Sequence, residues 1–259
     1  MDMRLNQVAL QLYTVRDHMQ TPADVAATLK TVAKVGYPAV ELASLPDMPV
    51  EDVTAMIADA GLTCCSTHNT MTAHMLDEPV AAVEVAKKLN CPSIACPGPG
   101  GTPLTTMDDW LTFAKRLNAA GKVYHEAGLT FSYHNHQTEF QTIDGKLMLD
   151  VFFEETDPRY VQAEIDTYWV QYGGGNPVQW CQKHAGRLPL LHLKDFKITP
   201  ERQIIFAEVG RGNLAWKEIV AAADESGCQW YIVEQDRCER DSLDSMKISF
   251  DYIRETLCS

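Results

Sequence analysis

Residues 106–134 read TMDDWLTFAKRLNAAGKVYHEAGLTFSYH, a long segment of helical period followed by a short β-branched and aromatic run. Gly128 stands between the two, as is typical of a helix end. The same order of elements recurs along the chain, and the predicted helix 21–35 has Thr21 as its N-cap and Gly36 just past its end. The stretch therefore predicts one unit of a repeating βα architecture.

Working outward from this unit, we assign eight strands and eight helices from hydrophobic periodicity. The predicted strands are 7–13, 39–42, 63–67, 93–96, 130–134, 161–166, 188–193 and 230–234. The predicted helices are 21–35, 50–60, 78–89, 106–127, 146–155, 177–184, 216–225 and 242–257. Repeated βα units imply a parallel sheet, and this number predicts a single (β/α)8 barrel domain over residues 1–259. A doubly wound open sheet is the alternative, but no glycine-rich turn follows the first strand.

Composition and charge exclude several classes of protein. Hydrophobic residues make up 46% of the chain, which is enough for a packed core, and the formal net charge is -13. That charge repels phosphate backbones and anionic lipid, so we expect neither a nucleic acid nor a membrane as partner. The eight cysteines include no CxxC pair and are expected to be reduced thiols. No segment resembles a signal peptide or a spanning helix, so we expect a cytoplasmic protein.

The predicted strand ends carry metal-ligating residue types. Active sites of such barrels lie at the C-terminal ends of the strands. The residues there are Tyr13, Glu41, His68, Cys96, His134, Asp166, His192 and Glu234. A single histidine or aspartate at a strand end is more often a structural hydrogen-bonding group. The last four, however, follow one another on consecutive strands, and two imidazoles with two carboxylates favour a divalent Mn, Co, Zn or Fe ion over Ca or Mg.

Several motifs resemble the sugar phosphate isomerase/epimerase group of the xylose-isomerase-like barrels. They are QLYTVRD (11–17), YHNH (133–136), ETDP (155–158), EIDTYW (164–169), LHLKD (191–195) and VGRGN (209–213). The motifs extend over nearly the whole chain, but the group includes epimerases, isomerases, dehydratases and lyases. The resemblance implies a xylose-isomerase-like (β/α)8 TIM barrel, one divalent metal ion, and a small-molecule keto-sugar or polyol as substrate.

By motif, the resemblance assigns the metal ligands to His134, Asp166, His192 and Glu234. Ketose 3-epimerases have a glutamate at the first position, where it is also one of two acid/base groups. In this sequence that position is His134, which argues against epimerisation by two carboxylates. A shift of the alignment by a residue or two would make His136 or Glu139 the first ligand instead.

Four residues are candidate proton carriers. We expect Glu234 to be the base that removes the proton beside the carbonyl. Lys194 lies on the same side of its strand as His192 and is expected to hydrogen-bond a sugar oxygen and protonate a departing hydroxyl, or else to be solvated and paired with Asp195. His68 is a candidate general acid or a core histidine. Glu139 is a candidate second proton carrier or a loop residue.

The remaining candidates are substrate-binding residues. Glu208 and Arg211 flank a glycine-rich turn whose N–H groups could lie near a ligand, and Arg211 suits a carboxylate or phosphate. The same glycines also serve as simple turn formers. Glu41 resembles a second-strand glutamate of the family, or is a buried structural partner. The other candidates are His136 and two aromatic residues, Trp169 and Tyr13, which would form a wall against the sugar ring.

These residues lead to one main hypothesis and three alternatives. The main one is a metal-dependent sugar isomerase or epimerase that acts by proton abstraction next to a carbonyl through an enediolate. A dehydratase or lyase of the same superfamily, acting on a keto-sugar or cyclitol such as a 3-keto-glycoside or an inosose, differs only in what leaves afterwards. A non-catalytic sugar-binding barrel is the third reading. Endonuclease IV shares the barrel, but the acidic charge opposes DNA binding. A homodimer is plausible.

Overall fold

The architecture is a closed barrel of eight parallel strands. The structure, a computed structural model, describes residues 3–68 and 72–258. The barrel strands are β1 (Val8–Gln11), β2 (Ala39–Leu42), β3 (Thr63–Thr67), β4 (Ser93–Cys96), β5 (Thr130–His134), β8 (Gln162–Asp166), β9 (Leu190–Leu193) and β12 (Trp230–Val233). They are neighbours in chain order, and β12 closes the barrel against β1. The predicted (β/α)8 barrel is therefore confirmed.

Ten α-helices are assigned within the described residues, and most of them lie between successive barrel strands. They are α1 (Pro22–Val35), α2 (Val50–Asp59), α3 (Thr72–Asp77), α4 (Pro79–Lys88), α5 (Met107–Glu126), α6 (Met148–Glu154), α7 (Thr167–Tyr172), α8 (Pro177–Lys183), α9 (Trp216–Glu225) and α10 (Ser242–Tyr252). In the described residues, no helix is both long enough and apolar enough to cross a membrane.

Local sequence explains where the longer helices begin and end. At the start of α1, Thr21 and Asp24 form a reciprocal capping box in which each side chain accepts the backbone N–H of the other residue. Thr106 and Asp109 do the same for α5. Helix α1 ends at Gly36, whose φ of 122° is accessible mainly to glycine. The apolar faces of these helices pack on the outside of the barrel.

The structure adds elements that periodicity did not predict. A short antiparallel hairpin, β6 (Thr142–Ile143) with β7 (Lys146–Leu147), follows β5, and a second, β10 (Asp195–Ile198) with β11 (Ile204–Ala207), follows β9. The first strand ends at Gln11, where a 3-10 segment Leu12–His18 begins, so Tyr13 lies past the strand. The hairpins lie at the C-terminal ends of the barrel strands, which is the side where the site is expected.

Candidate active site

The four predicted metal ligands lie on four neighbouring strands. His134 ends β5, Asp166 ends β8, His192 lies in β9 and Glu234 follows β12. Parallel pairing puts Asp166 directly opposite His192. All four side chains are buried, and one donor atom from each lies within 4.8 Å of the others. The structure thus brings together the set that the strand ends predict.

Three further residues surround the imidazoles of His134 and His192, and we call them the Glu-His-Glu cluster: the buried Glu41 and Glu164 and the partly buried His68. Nε2 of His68 lies 2.6 Å from Glu164 Oε2 and 3.3 Å from Glu41 Oε1. Glu41 Oε2 lies 2.7 Å from His192 Nε2, and Glu164 Oε2 lies 3.3 Å from His134 Nδ1. Each of the two imidazoles therefore has one nitrogen towards a carboxylate of the cluster and the other towards Asp166 or Glu234.

The surroundings of Glu41 do not match the substrate-binding role that was expected for it. Glu41 has no solvent exposure, does not line the cavity described below, and accepts a hydrogen bond from Gln11 Nε2 at 2.7 Å in addition to its imidazole contacts. The structure supports the alternative that Glu41 is a buried partner of other side chains. His68 takes an intermediate place, because it belongs to the cluster and also lines the cavity.

Lys194 is enclosed by three carboxylates. Its Nζ lies 3.0 Å from Asp166 Oδ2, 2.8 Å from Glu234 Oε2 and 2.8 Å from Asp236 Oδ1. Only 1% of Lys194 is exposed, and it is not among the residues that line the cavity. Its contacts are therefore with acidic side chains rather than with solvent. The alternative, a solvated lysine paired with Asp195, is wrong, because the Asp195 carboxylate accepts hydrogen bonds from Gly210, Gly212 and Trp216 instead.

A cavity of about 540 Å³ opens at the C-terminal end of the barrel. Of the predicted site residues, it is lined by Tyr13, His68, His134, His136, Trp169 and Glu234. Sequence reasoning missed Gln11, Arg16, Phe206, Asp236 and Arg237, which also line it. Three of these carried a signal in the sequence: Gln11 and Arg16 belong to the opening motif 11–17, and Asp236 lies two residues beyond Glu234. The volume is within the range of small-molecule sites.

Glu139 lies away from the four clustered donors. Its Oε1 accepts a hydrogen bond from the Tyr133 hydroxyl at 2.6 Å, and its Oε2 accepts the backbone N–H of His136 at 2.8 Å. The residue is fully buried and does not line the cavity. These contacts give Glu139 a role in holding the loop that carries His136, whose ring lies 5.7 Å from the Trp169 ring in the cavity wall. Of the three candidates for the first ligand, His134 is the one with a donor atom within 4.8 Å of those of Asp166, His192 and Glu234.

The glycine-rich turn after β11 binds an anion of the protein itself. Backbone N–H groups of Gly210 and Gly212 donate to Asp195 Oδ2 at 3.0 and 3.1 Å, and the Trp216 indole donates to the same oxygen at 2.7 Å. The two flanking residues do not line the described cavity: Glu208 accepts from Ser245 and pairs with Arg240, while Arg211 is exposed. The turn therefore organises the β10–β11 hairpin and does not cradle a ligand.

Burial and neighbouring charges act in opposite directions on the acidic residues. Burial raises the pKa of Asp166 to about 7, against the lowering effect of Lys194. For Glu234, burial also favours the neutral form, but Lys194 and His192 outweigh it and hold the pKa well below its usual range. Burial raises the pKa of Asp236 despite its contact with Lys194. Glu234 is thus a carboxylate at neutral pH, as a base must be.

The histidines are affected differently according to their partners. Burial lowers the pKa of His136 to about 4, with a further lowering from the Lys194 charge, so this cavity histidine is neutral at pH 7. Burial also lowers the pKa of His134. Burial acts the same way on His68, but Glu41 and Glu164 outweigh it and raise its pKa to about 10. At pH 7, His134 and His136 are therefore neutral, whereas His68, which lines the same cavity, is protonated and pairs with the carboxylates of Glu41 and Glu164.

A closed barrel of eight parallel strands, with helices outside it and acidic and imidazole groups gathered at the C-terminal strand ends, defines a TIM barrel. The chain belongs to the family of xylose isomerase-like TIM barrels, whose family model matches residues 29–256. This result confirms the family and the fold that the motifs of the sequence implied.

The individual relatives and solved structures that the chain resembles have different activities. An inosose dehydratase of Geobacillus thermodenitrificans (strain NG80-2) is 28% identical over 172 residues, which are 60% of this chain and 57% of that protein. The chain thus matches less than two thirds of that relative. A sugar phosphate isomerase/epimerase from Parabacteroides distasonis ATCC 8503 has a TM-score of 0.82 at 26% identity, covering 96% of this chain and 98% of that one. L-ribulose 3-epimerase, at 14% identity, has a TM-score of 0.74 over 98% of this chain and 94% of that one, which supports the fold alone.

Proposed function

We propose that this protein is a divalent-metal-dependent enzyme that removes a proton next to the carbonyl of a keto-sugar or keto-cyclitol and then eliminates a neighbouring hydroxyl as water. The main support for this proposal is a set of four buried donor residues with one atom of each within 4.8 Å of the others: His134, Asp166, His192 and Glu234. The inosose dehydratases among the relatives support the elimination outcome.

The residues present fit a divalent cation. Two imidazoles and two carboxylates are donors that Mn, Co, Zn and Fe accept. The contacts of the second nitrogen also fit, because a metal-bound imidazole commonly donates its other N–H to a carboxylate, which fixes the tautomer. Here Glu41 faces Nε2 of His192 and Glu164 faces Nδ1 of His134. When bound, a divalent ion in this set supplies a Lewis acid that polarises the substrate carbonyl and stabilises the charge left by proton removal.

Proton movement is then assigned to the acidic residues that face the cavity. Glu234 accepts the proton from the carbon next to the carbonyl. The Lys194 ammonium group passes a proton to the Asp236 carboxylate, which donates it to the departing hydroxyl, so that the hydroxyl leaves as water. Lys194 contacts both carboxylates at 2.8 Å, so a proton can return from Glu234 to Asp236 through its ammonium group. Lys194 acts in this scheme as a positioning and relay group, since it does not line the cavity.

The arrangement of carboxylates favours elimination over epimerisation. Both carboxylates that line the described cavity, Glu234 and Asp236, follow the same strand, β12. Epimerisation by two bases needs one on each face of the sugar, and here that second base would have to be an imidazole such as His136. An isomerase or epimerase with this imidazole as its second base is the alternative function, since His136 is neutral at pH 7.

The test is proton exchange in D2O by the metal-loaded protein with an inosose, a 3-keto-glucoside and a ketohexose. We expect about one Mn, Co, Zn or Fe ion per chain, EDTA-sensitive loss of the C–H proton by NMR, and an unsaturated product absorbing in the ultraviolet. Glu234→Gln should retain the protein fold and lose exchange by about 10²-fold or more. The surface variant Glu225→Gln is the control.

The other outcomes separate the competing functions. Deuterium incorporation with recovery of an epimer or isomer, and no unsaturated product, would replace elimination by the alternative reaction. Sugar binding without any exchange would leave a non-catalytic barrel. Exchange at the wild-type rate in Glu234→Gln with EDTA present would contradict both the dependence on a metal ion and the assignment of Glu234 as the base.

A further inference from the structure

The cavity has an arginine at its wall that is held in place before any ligand binds. Arg16 donates from Nη1 to the carbonyl of Tyr13 at 2.7 Å and from Nη2 to the carbonyl of Asp236 at 2.8 Å. Its guanidinium also lies over the Tyr13 ring, 3.9 Å from the centroid. These contacts use two of the five N–H donors of an arginine and leave the others for a ligand. The side chain is therefore preorganised, which lowers the entropic cost of binding.

A second arginine, Arg237, lines the same cavity and is exposed. Within residues 3–68 and 72–258, neither Arg16 nor Arg237 forms an ion pair with a carboxylate. Asp236 lines the same cavity, but its carboxylate is paired with Lys194. Neither guanidinium group is thus neutralised by a direct ion pair in this part of the chain, although the carboxylates of Asp17 and Asp241 line the neighbouring cavity.

The space beside these two arginines extends past the region of the metal ligands. A neighbouring cavity of about 510 Å³ shares three lining residues with the first one: Arg16, Asp236 and Arg237. A substrate whose ring lies against Glu234 and Trp169 therefore has room for a substituent that reaches the arginines. We call this place, defined by Arg16 and Arg237, the arginine rim.

We propose that the arginine rim binds an anionic substituent of the substrate, so that the substrate is a sugar acid or a sugar phosphate rather than a neutral sugar. This inference rests on the proposed function for the identity of the ring as a sugar. Guanidinium groups bind carboxylates and phosphates through paired, charge-assisted hydrogen bonds. The rim also differs from the site first expected for an anion, since Arg211 lies outside the described cavity.

The experiment is calorimetric titration of the metal-loaded protein with D-glucose, D-glucuronate and D-glucose 6-phosphate. We expect at least one of the two anionic sugars to bind about tenfold tighter than glucose or better. The one with the lower Kd distinguishes a carboxylate from a phosphate. Arg16→Gln and Arg237→Gln should each reduce this advantage by several-fold, while Lys30→Gln, which removes a positive charge from an exposed position on α1, should retain it.

Two results would overturn the inference: equal affinity for all three sugars, or an advantage of the anionic sugars that survives in both arginine variants. Arg237 is exposed, so its variant gives an answer even if Arg16→Gln fails to fold. Because the titration measures binding without turnover, absence of proton exchange with both neutral and anionic keto-sugars would count against the proposed function alone. Loss of the anionic preference with exchange intact would count against the arginine rim alone.

Discussion

Glu164 lies two residues before Asp166 on β8, so both side chains point to the interior face of the barrel. It is fully buried, with Oε2 2.6 Å from His68 Nε2 and 3.3 Å from His134 Nδ1. Burial favours the neutral form, yet neighbouring imidazoles lower the pKa of Glu164 to about 2. On the proposed metal site, this carboxylate orients His134 as a ligand.

We therefore expect Glu164→Gln to weaken metal binding without abolishing it. Loss of a carboxylate behind a ligating histidine typically costs about 10–100-fold in metal affinity. The measurement is the metal content of the protein after equilibration with chelators of graded affinity, with the surface variant Glu225→Gln as control. Unchanged metal affinity would show that Glu164 does not orient His134 as a ligand. Complete loss of metal would instead favour Glu164 as a direct ligand, since His68, His134, Glu164 and His192 also form a group with ligand spacing.

At the level of single residues, the sequence predicts what strand ends determine and misses what barrel closure determines. His134, Asp166 and His192 could be located because each lies at or near the end of a strand with a clear pattern. The pairing of Glu41 with His192 joins residues 151 positions apart, and no local pattern indicates it. Arg16 was visible in the opening motif, but its place in the cavity depends on the chain turning at Gln11.

The β10–β11 hairpin and the turn behind it are held by one carboxylate. Asp195 begins β10, is fully buried, and accepts hydrogen bonds from the turn that contains Gly210 and Gly212. The hairpin carries Phe206, whose ring stacks 4.4 Å from the Tyr168 ring and which lines the cavity. Periodicity missed the hairpin because most of its side chains are half-buried or exposed, whereas the four-residue barrel strands that were predicted are fully buried.

Gly212→Ala tests this arrangement at the level of the element. An added Cβ would lie 2.2 Å from the Phe196 carbonyl oxygen and 2.3 Å from Asp195 Oδ1, so the turn must move away from the carboxylate. We expect the variant to lose about 1–3 kcal/mol in the free energy of unfolding, measured in urea. The exposed neighbour Asn213→Ala should stay within about 0.5 kcal/mol of wild type. Equal stability of the two variants would show that the turn adapts without cost.

For the whole molecule, eight repeats of one pattern made the barrel predictable, because each βα unit is local while closure follows from their number. The helices on the outside were predicted less well. The predicted helix 146–155 contains β7 and the shorter helix α6, and the predicted 242–257 ends in a π-helical turn, Ile253–Leu257. Element boundaries of this kind depend on packing against neighbouring helices, which a single sequence does not encode locally.

Packing in this outer layer also predicts how stability depends on pH. His184 caps the end of α8, is 4% exposed, and has its ring 4.2 Å from the Phe153 ring and 5.6 Å from the Trp180 ring. Its Nε2 has no hydrogen-bond partner within the described residues. Burial, with a smaller contribution from the nearby Arg187 and Lys183 charges, lowers the pKa of His184 from 6.5 to about 3.

Between pH 6.5 and about pH 3 the unfolded chain binds a proton at His184 that the folded protein does not bind. The stability contributed by the neutral ring is therefore present above about pH 6.5 and is lost as the pH falls towards 3. Between pH 7 and pH 5, His184 therefore reduces the free energy of unfolding by about 2 kcal/mol. His184→Phe keeps a ring against Phe153 and Trp180 but does not titrate. We therefore expect urea unfolding to show a drop between pH 7 and pH 5 that is smaller in the variant by about this amount. His125→Gln, at an exposed position on α5, is the control and should keep the wild-type drop; a drop of the same size in His184→Phe would show that the buried ring is not the source.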